Sequence, residues 1–337
     1  MSKLYRRIAT TLCAIVGTFI IFQFMTTFCF NNHDKKDSIQ FKNDIRTHNQ
    51  RRNEKRVSRG VYSEDITIVT AYFDLGTFRK GNKNSRIFTK QMYERRLGEY
   101  GRLMNNVVAF FDDKHIYETF KTIRATQEKK TKIFLINRKA LRSFQVIDKV
   151  REILSYKGYP QFHPNTVVPE YGCSMNAKYE LVELAAKENV FNTSYFAWFD
   201  GGFFQNQTDH LPFKLATPPG FDQSKVGYGQ MLPLNSKLSP QEIFLTNQYS
   251  LCGCVFIARR DVMLRWTKLY RFYADLFLNR GLASTDEQVL YAMFSDKIDK
   301  PTIRIQRYWE RPAKNVWSVL GYVMKDSWKN HQLGNTA

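Results

Sequence analysis

The chain has 337 residues with a formal net charge of +20, of which residues 1–30 carry +3, residues 31–60 carry +5 and residues 61–337 the remaining +12. Hydrophobic residues make up 43% and aromatic residues 15%, which suits a packed globular body and excludes a chain disordered throughout. The basic excess favours anionic partners such as nucleotide-sugars, acidic glycans or phospholipid head groups; no zinc finger, basic zipper or RNA-binding aromatic motif accompanies it, which argues against nucleic acid.

Residues 8–30 form a run of 23 without a charge, long enough as a helix to cross a hydrocarbon core. A cleaved signal peptide is the rival reading, but the run ends Thr26-Thr27-Phe28-Cys29-Phe30 and offers no small-residue cleavage site. An uncleaved signal anchor is therefore expected, with residues 1–7 as a cytoplasmic tail. Lys3, Arg6 and Arg7 before the span nearly balance Lys35, Lys36 and Lys42 after it, so the positive-inside count leaves orientation almost tied. The sequons at Asn192 and Asn206 can be glycosylated only on a lumenal body, which makes a single-pass type II protein the expectation. Residues 31–62 are polar and charged and read as a flexible stem.

In the body, the β-rich run at residues 66–72 predicts a buried strand. Residues 86–104 show a helical pattern interrupted by Gly98 and Gly101. A strand follows at 107–111, a helix at 115–126, a strand at 132–136 and a helix at 140–156. After a proline-bearing loop comes a helix over 174–189, stopped by Asn189. Residues 194–199 predict another strand, ending in Asp200-Gly201-Gly202. Residues 205–240 look irregular. A strand over 250–257, a long aromatic helix over 261–279, a helix over 285–294 and a strand over 302–308 complete a domain set at residues 63–325, with 326–337 as a tail. Trp266, Tyr270, Tyr273 and Phe277 recur at helical spacing and read as core.

Strands alternating with helices predict an α/β domain, a mostly parallel sheet with helices on both faces. Ligands of such sheets sit outside the carboxyl ends of the strands, which singles out Tyr72, Asp74, Asp112, Asp113 and Asp200. No dinucleotide fingerprint, P-loop, zinc-protease or nucleophile-elbow motif is present. Asp200 closes a very apolar strand, where a carboxylate could hold a divalent cation bridging a diphosphate, while Gly201 and Gly202 let backbone approach the ligand. The plainer reading is an Asp-Gly turn. Asp286 and Glu287 are candidate proton acceptors, although Ser284-Thr285-Asp286-Glu287 also has the form of a capping box. Lys178 could pair with a phosphate or be a solvated surface lysine. Outside the span, Cys173, Cys252 and Cys254 suggest one disulfide and one free thiol, and Cys252-Gly253-Cys254 lacks the further ligands of a zinc site.

Three phrases, Ile66-Thr-Ile-Val-Thr-Ala-Tyr-Phe-Asp74, Tyr195-Phe-Ala-Trp-Phe-Asp-Gly-Gly202 and Asp286-Glu-Gln-Val-Leu290, resemble the HtrL/YibB (WbbX-like) family. Its bacterial members are associated with surface-polysaccharide gene clusters. The order of elements is also similar to GT-A glycosyltransferases, which use a strand-end Asp-x-Asp to bind Mn²⁺ or Mg²⁺ and the nucleotide-sugar diphosphate. That likeness implies donor contacts at Tyr72 and Asp74, a metal at Asp200 and an acceptor-activating carboxylate at Asp286. Here the second acid is missing, since Trp198 or Gly202 stands in its place. The anchor, stem and body resemble Golgi glycosyltransferases. Sugar transfer from a nucleotide-sugar to a glycan or glycoprotein in the Golgi or ER is thus the leading expectation, and a non-catalytic glycan-binding or scaffolding protein the alternative.

Overall fold

The computed structural model describes residues 61–81, 86–206, 211–309 and 316–334. The expected tail, span and most of the stem lie outside these. Among the described residues no helix is long and apolar enough to cross a membrane.

Seven strands form the central sheet: β1 (Ile66–Tyr72), β4 (Asn106–Phe111), β5 (Thr131–Leu135), β6 (Tyr195–Phe199), β7 (Val226–Gln230), β8 (Leu251–Arg259) and β9 (Ile305–Tyr308). Their order is β5-β4-β1-β6-β8-β7-β9. Every neighbouring pair is parallel except the two that β8 makes with β6 and β7. The expected mostly parallel sheet is present. β1, β4 and β6 are buried along nearly their whole length, because helices cover both faces and leave no solvated side to alternate toward.

On one face pack α1 (Lys90–Leu97), α2 (Lys114–Ile123) and α9 (Val319–Gly334), which place Leu97, Ile116, Phe120, Leu320 and Met324 against Ile68, Ala109, Phe199 and Ile257. The other face carries α5 (Pro169–Glu188), α7 (Arg260–Asn279) and α8 (Asp286–Ala292). There Tyr179 stacks on Phe256 at 4.9 Å and Trp266 donates to the Tyr228 hydroxyl at 2.9 Å. Trp266, Tyr270, Tyr273 and Phe277 are core, as their spacing suggested. Short helices α3 (Arg142–Gln145), α4 (Ile147–Ser155) and α6 (Pro240–Leu245) fill the connections.

Several boundaries differ from the sequence reading. Residues 86–88 are strand β3, paired antiparallel with β2 (Phe78–Lys80). The helix begins only after Thr89, whose hydroxyl accepts from the Met92 amide. α5 starts five residues early, since Pro169 at its first position lacks the N–H that a helix start would leave unused. Asn189 ends α5 in the left-handed region, as expected. β7 falls in the stretch that looked irregular, because Gly227 and Gly229 dilute its apolar pattern; a Cβ on Gly227 would stand 3.0 Å from Ile257. The boundary placed at residue 325 lies inside α9, where Met324 and Lys325 are buried.

Candidate functional site

In sheet order, β1 has β4 on one side and β6 on the other. The chain winds outward in both directions from β1, so the β1–β6 junction is a topological switch point, and a crevice opens beyond its carboxyl end. An open cleft lies there. Tyr72 and Phe73 follow from β1, and Trp198, Asp200, Gly201 and Gly202 from β6. Phe78, Lys80, Tyr93 and Tyr171 close the other side. Six of the fourteen lining residues are aromatic, and Asp200 is the one carboxylate among them.

Asp200 is held on two sides. The Trp198 indole donates to its Oδ1 at 2.7 Å, and Lys178 Nζ stands 3.1 Å from the same oxygen. The side chain keeps 35% exposure, so the carboxylate is reachable from the cleft. Lys178 is not a solvated lysine. It is 3% exposed, donates to Gly253 O at 3.1 Å and pairs with Asp286 Oδ2 at 3.2 Å. Burial alone would drive Lys178 toward its neutral form, but Asp200, Asp286 and Glu287 outweigh that cost and hold it charged. Lys178 thus neutralises the protein's own acids and leaves no charge over for a ligand phosphate.

Asp286 is 1% exposed. Burial raises its pKa, the Lys178 ammonium opposes that, and Asp200 adds to the rise. Gly253 makes this packing possible: a Cβ there would lie 2.0 Å from Asp286 Oδ2. Glu287, the next residue, is partly exposed. Burial and the neighbouring Asp286 charge push its pKa up to about 8. The capping box suggested by Ser284 and Glu287 does not form. Thr285 is the N-cap without a side-chain cap bond, and both Ser284 and Thr285 donate to the Gln288 side chain.

Asp74 and Asp112 do not reach the cleft. Asp112 Oδ1 accepts the Asp74 amide at 2.8 Å, while Arg138 donates to Asp112 Oδ2 at 2.9 Å and to Asp74 O at 2.6 Å. Their job is to tie the turn after β1 to β4. Asp113 caps α2 through the Ile116 amide and pairs with Lys90. Gly201 and Gly202 line the cleft, but their missing side chains also admit α1: a Cβ on Gly201 would meet Leu97 at 3.3 Å and one on Gly202 would meet Arg96 at 3.1 Å. Asn192 is exposed just after α5, and the side chain of Asn206 lies outside the described residues. Cys252 and Cys254 form a disulfide bracketing Gly253, and Cys173 is a buried free thiol.

Trp198 and Lys178 both occupy Asp200 Oδ1, and among the described residues no three His, Cys, Asp or Glu side chains converge to hold a metal, so a divalent cation here would depend on Asp200 Oδ2 and on oxygens of the ligand itself. Phe78, Lys80, Tyr93 and Tyr171 line the cleft and Arg96 stands at its edge, although nothing in their local sequence singles them out as site residues. One signal was available for the ribbon: Phe78 and Phe88 are aromatic residues that pair across its two strands.

Fold and site together define an α/β protein with an aromatic-lined cleft at the switch point of a mostly parallel sheet. The chain belongs to the HtrL_YibB family, described as "Bacterial protein of unknown function (HtrL_YibB)", whose sequence profile matches residues 64–297. The resemblance carried by the three phrases is thereby shown. No curated protein matches the chain. Among solved structures, a CMP:2-keto-3-deoxy-manno-octonic acid synthetase complexed with CTP is similar at 11% identity over 80% of this chain and 99% of that one, with a TM-score of 0.26. An overlap that loose carries no argument about chemistry.

Proposed function

We propose that the protein transfers a sugar from a nucleotide-sugar to a glycan or glycoprotein acceptor. The observation that carries this reading is the switch-point cleft, walled by aromatic rings that suit a nucleobase or sugar face, with the Asp200 carboxylate at its rim. In the reaction the acceptor hydroxyl oxygen forms a bond to the anomeric carbon. The bond from that carbon to the diphosphate breaks, and the electron pair leaves with the nucleoside diphosphate. Glu287 takes the hydroxyl proton; it is the partly exposed member of the Asp286–Glu287 pair, and a pKa of about 8 suits a base near neutrality. Asp286, sealed against Lys178, positions that ammonium and with it Asp200. On the same reading residues 8–30 anchor the chain and the body is lumenal, in the Golgi or ER; the exposed Asn192 supports this side of the membrane.

The test is a panel of nucleoside diphosphates and nucleotide-sugars titrated into the full-length protein, followed by donor hydrolysis. Binding of one nucleotide, with hydrolysis lost in Asp200→Asn, is the expected result. Absence of any nucleotide binding would remove the proposal. A non-catalytic glycan-binding role is the second reading, favoured by the single acid at the strand end. Nucleotide binding without turnover across donors and acceptors would select it.

A further inference from the structure

On the β2–β3 ribbon, Phe78 and Phe88 stand opposite each other and stack at 5.8 Å. Lys80 Nζ is surrounded by rings: it lies 4.8 Å from the Phe88 centroid, 5.0 Å from Tyr171 and 5.9 Å from Phe78. It has no carboxylate within ion-pair distance among the described residues, although Lys178, Lys90 and Arg138 nearby in the fold all do. Lys80 lines the cleft. Arg96 comes to the same place from α1. Its guanidinium lies 5.0 Å from the Phe88 centroid and 5.6 Å from Tyr93, and its side chain packs on Gly202 at the cleft edge.

Rings orient these two cations without neutralising them. Around Arg96, burial disfavours the charged form, Tyr93 opposes that, and the like charges of Arg95 and Arg86 add to it. The one acid in the cleft, Asp200, is already balanced by Lys178. Lys80 in the cleft and Arg96 at its edge are thus cations packed on rings, while the cleft's carboxylate already has Oδ1 engaged by Lys178 and Trp198.

We propose that Lys80 and Arg96 form a cationic subsite that receives the diphosphate of a nucleoside diphosphate ligand, in place of a divalent ion held by the protein. The inference rests on the nucleotide reading of the cleft and deepens it. The aromatic rings hold the ammonium and guanidinium in position before the ligand arrives, so little order has to be created on binding. Each cation would donate a charge-assisted hydrogen bond to a phosphate oxygen.

The test uses the full-length protein with UDP, CDP and GDP, and separately inorganic pyrophosphate, each with EDTA and with Mn²⁺. The expected result is nucleotide and pyrophosphate binding that survives EDTA within about threefold, weakens at least about tenfold in Lys80→Ala and in Arg96→Gln, and returns in Lys80→Arg. Binding abolished by EDTA and restored by Mn²⁺, or unchanged in both variants, would overturn the subsite while leaving nucleotide recognition intact. Pyrophosphate bound and lost in Lys80→Ala, with no nucleotide bound, would keep the subsite and remove the glycosyltransferase reading. Neither probe binding would overturn both. Circular dichroism of each variant separates a lost subsite from a lost fold.

Discussion

Lys178 Nζ lies 3.2 Å from Asp286 Oδ2, and the two side chains are 3% and 1% exposed. A lysine on the helix before β6 is thus locked to an acid more than a hundred residues later, and the same ammonium reaches Asp200 at the cleft. Replacing Lys178 with Met would strand Asp286 as an uncompensated buried acid. A loss of about 3–5 kcal/mol is expected, read as a lower midpoint in urea unfolding. A variant as stable as the parent would show that the pair does not hold the site together.

Gly253 and Gly98 make a matched contrast. A Cβ on Gly253 would fall 2.0 Å from the Asp286 carboxylate, whereas one on Gly98 would meet nothing within 4 Å. Gly253→Ala is expected to destabilise by at least about 2 kcal/mol through forced displacement of a buried acid. Gly98 has ordinary helical angles, so Gly98→Ala should raise stability by about 0.4–1 kcal/mol. Thermal unfolding of the two variants side by side checks both signs.

Glu287 gives stability a pH dependence. Its pKa stands at about 8 in the folded chain against an ordinary value of 4.5, raised by burial and by Asp286 beside it. Below pH 4.5 the group is protonated in both states and costs nothing. Between 4.5 and about 8 the folded chain keeps a proton that the unfolded chain has released, so this group's contribution falls as pH rises through that window. Glu287→Gln should flatten the fall, measured as unfolding free energy across pH 5 to 9; an unaltered slope would assign the titration elsewhere. If Glu287 is the base, turnover in the parent should rise through the same range and be lost in the variant.

Asn192 reports on topology. It is exposed and sits in a turn with a positive φ of 51°, while its neighbour Thr193 is buried against Thr67. Expressed in a eukaryotic secretory system, the chain should shift to lower mass after glycosidase treatment, and Asn192→Gln should remove part or all of that shift. No shift with either sequon intact would count against a lumenal body.

The cysteines divide by chemistry. Burial pushes the Cys173 thiol up to about 12, and Cys252 is joined to Cys254. Under native non-reducing conditions none of the three should alkylate. Reduction should expose Cys252 and Cys254, and only unfolding should expose Cys173, as resolved by peptide mass spectrometry.

Local chemistry made much of this protein legible from its residues alone. The apolar, β-rich runs of β1, β4, β6 and β8 could be read because burial on both faces leaves little else that they could be. Asp200 stood out because an acid ending such a strand has to meet the rim of the sheet. What the residues could not disclose was which distant groups would share a cavity. Lys178 looks like a surface lysine until α8 brings Asp286 to it, and Asp112 looks like a ligand until Arg138 and the Asp74 amide consume its lone pairs. Lys80, Arg96 and Tyr171 come from a ribbon and two helices. The order of a strand along the chain is a local matter of side-chain pattern, while pairing of charges across the sheet is settled only when chain segments far apart in sequence exclude water from the same space.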